Sequence, residues 1–429
     1  MNRSLRYFDN KFSFFIVLCC LPLLFLPKIN LVSFGGRETA GIRIDDIFLM
    51  ILALFVFWAN FALKKRLQDI EKWMLSLIGF SLISYLSNRF LVSAGILHVN
   101  AVIFYAIRLL EYFIFFYIGA FAAQFFTSYS VVKTFLIWNI VLILLQRLGL
   151  IGQFSNWGYL SVSTERVSGI GSFPSETGLF LDMAFCFLVF DQTQKSNGWL
   201  VLPKMVQRFF QKTYLYWLFL ICATAIIWTG SRIAILALVV VFFFRLKDEF
   251  NVRSLASVSI AAFFIVIGAF LMVVLIMNSD AIVKRSAGLI SFRNLELVAI
   301  VWDQISTDYD PIGFEAVKFD SYDMSWWLRI HKWMYALKIY VMNPECWLQG
   351  IGPGFAMAGL DGGYLRILTE NGILGSFLYW KVFSSIYRQS LQLKWMLIAF
   401  MINMIFFDVY LAYKPMSLLF FLTGCTYST

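Results

Sequence analysis

The chain is built from apolar runs about as long as a bilayer is thick. Leu255 to Met277 carries no charge and is almost wholly apolar, and comparable runs recur along the 429 residues, separated by short polar stretches. Roughly twenty apolar residues cross a hydrocarbon core as a helix, and only helices or closed barrels satisfy their backbone polar groups there. Barrel strands alternate apolar and polar residues, which these runs do not, so the expected fold class is all-α, a polytopic membrane bundle. Composition agrees: 60% of residues are hydrophobic, 19% aromatic and only 14% charged, more apolar surface than a soluble fold of this length could hide.

Spans are expected at about 12–29, 45–63, 72–90, 102–126, 131–150, 175–190, 213–228, 232–245, 255–277, 370–387, 394–411 and 415–427, making residues 1–429 a single bundle of about twelve transmembrane helices. The first run follows Arg3, Arg6 and Lys11 but lacks a small-residue cleavage site after it, so it reads as a retained span. With the N-terminus inside, the inner turns hold Lys64, Lys65, Arg66, Lys195, Lys204, Arg208, Arg245, Lys247 and Arg388, as the positive-inside rule requires. Five of the six cysteines fall within spans, Cys346 being the exception, and no disulfide or zinc spacing is visible.

This topology leaves two outer segments where chemistry could sit, Ile151 to Pro174 and a large loop at 278–369. The large loop is basic, with Lys284, Arg285, Arg293, Lys318, Arg329, Lys332, Lys338 and Arg366, which points to an anionic ligand near lipid headgroups. Within it, Trp326, Ile330, Trp333, Leu337 and Val341 share one helical face, marking an amphipathic helix on which Arg329 could grip two phosphate oxygens at once. A helix that merely floats at the interface with its lysines toward phosphates is the alternative reading. Asn343-Pro344, Gly350-Ile351-Gly352-Pro353-Gly354, Asp361-Gly362-Gly363-Tyr364-Leu365-Arg366 and Glu370-Asn371-Gly372-Ile373-Leu374-Gly375 follow, glycine turns that read on their own as bends. Arg166 and Arg232 map to outer turns as well, where arginine beside a bundle marks a ligand or snorkels to headgroups.

Taken in order, these residues resemble the bacterial polysaccharide polymerases and ligases typified by the Wzy-type O-antigen polymerase and the O-antigen ligase. The resemblance covers about half the chain, from Arg166 to Gly375: Arg166 with Gly169 and Pro174, then Ser231-Arg232, then Arg329, Pro344, the glycine run, Tyr364-Leu365 and Glu370 to Gly375. Ligases of that family usually carry His-Asn before the Tyr-Leu, where this chain has Asp361-Gly362, and its two histidines, His98 and His331, lie elsewhere. The resemblance therefore implies a GT-C-like membrane glycosyltransferase, a polymerase of lipid-linked oligosaccharide repeat units for O-antigen or related surface polysaccharide. It implies an undecaprenyl-diphosphate-linked oligosaccharide as donor and another as acceptor, in the bacterial inner membrane with the site on the periplasmic side, and allows a chain-length regulator protein as partner.

A departing diphosphate needs fixed positive charge, and an attacking hydroxyl needs a proton acceptor. The expected site residues are accordingly Asp361 as base, Glu370 as second choice, Arg329 at the reacting centre, and Arg166, Arg232, Arg329, Lys332 and Arg366 on the diphosphate. Asp308-Tyr309-Asp310 and Asp45-Asp46 have carboxylate pairs of a form that can hold a cation, but such pairs are commonplace, so neither a metal nor a cofactor is expected. Asp361 could instead be a turn residue. Competing functions are the ligase, with lipid A core as acceptor, and a flippase or transporter of the same lipid-linked sugars. A transporter would carry more charge at mid-membrane than Arg108, Glu111 and Asp182, and Arg108 and Glu111, three apart on one face, are expected to neutralise each other. Nucleic acid is excluded as a partner, because topology accounts for the inner basic charge.

Overall fold

The computed structural model describes residues 10–26, 32–33, 41–42, 46–53, 67–155, 158–159, 166–190, 204–249, 293–305, 324–356 and 359–428. Helices account for almost all the regular structure, with two antiparallel pairs of two-residue strands, 32–33 with 41–42 and 154–155 with 158–159. In chain order the helices are α1 (Asn10–Phe25), α2 (described over 46–53), α3 (Asp69–Ser93), α4 (Ile103–Ala122), α5 (Ser128–Arg147), α6 (Pro174–Val189), α7 (Lys204–Thr229) and α8 (Arg232–Glu249). They continue with α9 (Arg293–Gln304), α10 (Met324–Met342), α11 (Gly363–Tyr387), α12 (Leu391–Asn403) and α13 (Tyr413–Ser428). Among the described residues α3, α4 and α5 are long and apolar enough to cross a membrane, and 13–25, 214–229 and 391–403 are shorter apolar helices. The protein is thus a helical membrane protein. The run at 255–277 lies outside the described residues.

Local chemistry sets the helix ends. The Glu71 carboxylate accepts the Gln68 N–H at 2.6 Å and the Tyr117 hydroxyl at 2.6 Å, so one buried carboxylate starts α3 and ties it to α4. Thr127 and Ser390 cap α5 and α12 through their hydroxyls, and Pro174 opens α6, where a missing N–H costs nothing. The centre of the bundle is α4, most of which is buried and which packs most extensively on α13. Gly119 and Gly424 make that approach possible, since a Cβ on either would collide with the carbonyl of Phe421 or Phe116 on the facing helix.

Three expectations change. The span at 394–411 is not one helix: α12 ends at Asn403 and the chain turns through 404–412 before α13, which brings Asp408 inward. The helix expected from residue 370 begins seven residues earlier, at Gly363, and breaks at Gly372, whose φ of 64° is not helical. The amphipathic helix α10 does more than lie at an interface: of its expected apolar stripe Ile330 is buried, Trp326, Trp333 and Leu337 are half-buried and Val341 is exposed. The tightly packed residues are Trp327, Ile330, Tyr335, Ala336, Ile339 and Tyr340, because α10 packs on protein as well as facing outward. With Leu91 of α3, Leu97 just after it, Val301 of α9 and Ile351, Phe355 and Leu360 of the glycine-rich segment, they form a second apolar core. The described part of 278–369 is therefore a packed layer on the bundle.

Candidate active site

The glycine turns hold the site together. Because α11 breaks at Gly372, the backbone groups around the break need partners, and the 347–352 loop supplies them. Ile373 N–H donates to Trp347 O at 2.9 Å and Leu374 N–H to Leu348 O at 3.1 Å, while Ile351 N–H donates to Thr369 O at 2.8 Å and Gly352 N–H to Glu370 O at 3.1 Å. The two backbones run so close that a Cβ on Gly350 or Gly372 would overlap main-chain atoms of the other strand, and both glycines have positive φ. Asn88 of α3 fixes the other side, donating to Ile351 O at 2.7 Å and Val99 O at 3.0 Å and accepting Ala101 N–H at 2.7 Å.

The first half of α11 carries a buried charge network. Arg366 is 2% exposed, and its Nε lies 2.7 Å from Glu370 Oε1 while Nη1 lies 2.8 Å from Asp408 Oδ2. Glu370 Oε2 accepts the Tyr410 hydroxyl at 3.0 Å. Asp408 is held further by three backbone donors: Leu360 N–H at 2.6 Å, Asp361 N–H at 3.3 Å and Gly362 N–H at 3.1 Å. Successive N–H groups converging on one carboxylate form an anion-binding nest, which needs a left-handed residue, and Asp361 has φ 57°.

In front of this network lies a cavity of about 330 Å³. Its charged lining comprises Arg108 of α4, Glu176 of α6, Arg329 of α10, Arg366 of α11, Asp361 and Asp408, and its apolar lining includes Phe173, Phe406, Phe407 and Leu411. Arg329 Nε lies 3.6 Å from Asp361 Oδ2, an ion pair without a hydrogen bond, and that Nε has no hydrogen-bond partner among the described residues. The Asp361 side chain keeps 39% of its surface accessible although protein surrounds it. Its carboxyl titrates above the ordinary aspartate range, first because of burial and then because of Asp408, with Arg329, Lys332 and Arg366 pulling the other way.

Of the expected site residues, Asp361, Arg329 and Arg366 meet at the cavity. The others are placed differently. Lys332 is turned to the loop, its Nζ donating to Gly359 O at 2.7 Å, and does not line the cavity. Arg166 Nε donates to Thr229 O at 2.9 Å, binding its loop to the α7–α8 turn, and Arg232 starts α8 on that same turn. Neither lines this cavity, so of the five expected diphosphate cations it brings together Arg329 and Arg366. The Arg166 stretch reaches the cavity farther on, through Ser172, Phe173, Ser175 and Glu176. Glu370, the second choice as base, has one carboxylate oxygen on Arg366 and the other on Tyr410 and is 1% exposed, the setting of a structural carboxylate.

Sequence reasoning missed Arg108, Glu176 and Asp408. Arg108, read from sequence only as a partner for Glu111, lines the cavity, and its guanidinium and that of Arg366 each lie 5.4 Å from the centre of the Tyr105 ring. Asp408 did carry a signal, a carboxylate inside an expected span, where an ionisable residue marks function by default. Asp182, likewise buried, accepts from Asn403 Nδ2 at 2.9 Å and joins α6 to α12. His331 lies against Trp327, the rings tilted at 42° with centres 3.9 Å apart, and is not part of the lining, and burial lowers its proton affinity. Among the described residues no three His, Cys, Asp or Glu side chains gather as a metal site; Asp308 and Asp310 lie outside the described residues. Scanned against protein-family models and curated protein sequences, the chain matches none.

Proposed function

We propose that the protein is a membrane glycosyltransferase of the Wzy polymerase type that joins oligosaccharide units carried on undecaprenyl diphosphate. The observation that carries this reading is the cavity itself, whose lining brings Arg329 and Arg366 together with the Asp361 carboxylate, 3.6 Å from Arg329 Nε, beside apolar walls of Phe173, Phe406, Phe407 and Leu411. Fixed cations suit a diphosphate, an adjacent carboxylate suits a hydroxyl proton, and apolar walls suit a prenyl chain.

The reaction follows from those roles. A sugar hydroxyl of the acceptor attacks the anomeric carbon of the donor and gives its proton to the Asp361 carboxylate. The new glycosidic C–O bond forms as the bond from that carbon to the diphosphate breaks, and undecaprenyl diphosphate leaves with the electron pair. Arg329 and Arg366 stabilise the charge that gathers on the departing oxygens. This reading includes a bundle of about twelve spans with a GT-C-like architecture, set in a bacterial inner membrane with the cavity toward the periplasm. A chain-length regulator would be a partner outside this cavity.

The test is reconstitution. Purified protein in detergent, with chelator, is given lipid-linked oligosaccharide extracted from its source strain lacking this gene, and the released glycans are separated by length. A ladder of longer chains from wild type, lost in Arg329→Ala and Asp361→Asn, is the expected result. Transfer of single units only to added lipid A core would establish a ligase instead, and passage of lipid-linked sugar across vesicles with no transfer would overturn the transferase reading.

A further inference from the structure

Asp408 lies where an apolar helix was expected, and its position there needs a reason. A carboxylate buried to 5% exposure is costly unless neutralised, and this one has four donors: the Leu360, Asp361 and Gly362 amides and Arg366 Nη1. Three of those four belong to the turn that carries Asp361. The next amide, Gly363 N–H, donates to Met404 O at 2.9 Å, so the whole turn is read out by the segment after α12. From the other side, Lys332 Nζ holds Gly359 O at 2.7 Å and Trp333 Nε1 donates to Leu360 O at 3.0 Å.

We propose that Asp408 is the positioning residue for Asp361: it gathers the turn amides, holds Asp361 in its left-handed conformation facing Arg329 and the cavity, and keeps a second negative charge behind it. This rests on the reading of Asp361 as proton acceptor. Around Asp361 the charged groups are Arg329 and Lys332 from α10, Arg366 from α11 and Asp408 from the 404–412 segment, with Arg108 of α4 and Glu176 of α6 on the same cavity. Asp408 is the anion that acts on Asp361 against three cations, and burial acts in the same direction as Asp408. Removing that anion moves the proton affinity of Asp361 down, which weakens it as a base at the pH where the arginines must stay charged.

The titration of Asp361 can be followed without substrate, by infrared spectroscopy of ¹³C-aspartate-labelled protein in detergent, assigning the carboxyl band by difference from Asp361→Asn. Asp408→Asn keeps one acceptor for the turn and loses the charge; its Asp361 band is expected to titrate at lower pH than wild type, with kcat for chain elongation down tenfold or more and KM little changed. Asp408→Glu keeps the charge and displaces the acceptors, so its titration stays near wild type while kcat falls. An unchanged titration in folded Asp408→Asn, or full kcat in Asp408→Glu, overturns the proposal. Should Asp408→Asn fail to fold, Asp408→Glu decides alone: full kcat in that variant overturns the proposal, and a lowered kcat with the Asp361 titration of wild type supports it. The two readings fail separately: elongation that survives Asp361→Asn removes the base, whereas loss of elongation in Asp361→Asn with an Asp408→Asn variant indistinguishable from wild type removes only the positioning role.

Discussion

The Arg366 network gives the sharpest test of whether Glu370 is structural. Arg366, Glu370 and Asp408 carry one positive and two negative charges, at 2%, 1% and 5% exposure. Replacing Arg366 with Met leaves two buried carboxylates facing each other; removing one partner of a buried pair costs about 3–5 kcal/mol. Glu370→Gln is milder, because the amide still accepts from Arg366 and donates or accepts toward Tyr410, and the remaining Arg366–Asp408 pair is balanced. The Arg366 bond keeps its charged donor but loses its anionic acceptor, and the Tyr410 bond becomes neutral, a loss of about 1–2 kcal/mol. Unfolding in mixed micelles titrated with sodium dodecyl sulfate should therefore rank wild type above Glu370→Gln above Arg366→Met. The double variant should cost less than the sum by about 0.5–3 kcal/mol, since the residues touch. A Glu370→Gln protein of wild-type stability whose elongation rate falls a hundredfold would refute the structural assignment and return Glu370 to the base role.

Arg329→Gln removes the nearest cation from Asp361, whose carboxyl already titrates above the ordinary range; the Asp361 carboxyl band is expected to titrate at still higher pH in the same infrared difference measurement. Stability runs opposite to the activity of a base, because a folded state that holds the Asp361 proton more tightly than the unfolded chain loses stability as pH rises through the raised value. His331 behaves oppositely: burial lowers it below 6.5, so below that pH the unfolded chain binds more protons and the fold weakens, and His331→Phe should melt with less acid dependence while elongation at neutral pH is unchanged. Asn88→Ala loses three hydrogen bonds to the 99–101 and 351 segments and is expected to lower stability by about 2–3 kcal/mol in the same micelle assay. Gly372→Ala meets the Gly350 backbone with a positive φ and should lose at least about 1–3 kcal/mol to strain alone, seen as poor accumulation in membranes.

Membrane character was legible because the apolar runs are read by length, which needs no tertiary information. The span at 102–126 appears as α4 over Ile103–Ala122 and that at 131–150 as α5 over Ser128–Arg147. The protein-facing side of α10 was not legible, since periodicity gives one apolar stripe and α10 meets protein on more than that stripe. Arg329 and Asp361 could be chosen from sequence because each is an unusual residue in an unusual place, an arginine on an amphipathic helix and an aspartate in a glycine turn. Arg108 could not, because its place on the cavity depends on what faces α4.

Asp408 shows why hydropathy misleads at a site. Averaged over Leu391 to Leu411, the apolar residues outweigh one aspartate, and the window reads as a continuous span. In structure the helix ends at Asn403, and the nine residues before α13 turn Asp408 toward Arg366 and the 360–362 amides. The same logic runs through α11, where Gly372 breaks a helix and the 347–352 loop satisfies the backbone. Non-helical backbone at membrane depth persists only where protein or a cavity covers it. Two interrupted helices meeting at one cavity are therefore a stronger mark of function than any single motif. The sequence sign of both was present, a lone carboxylate in one apolar run and a glycine at the head of another, and the two signs gain their meaning only from Arg366, which touches both helices' products, Glu370 on one side and Asp408 on the other.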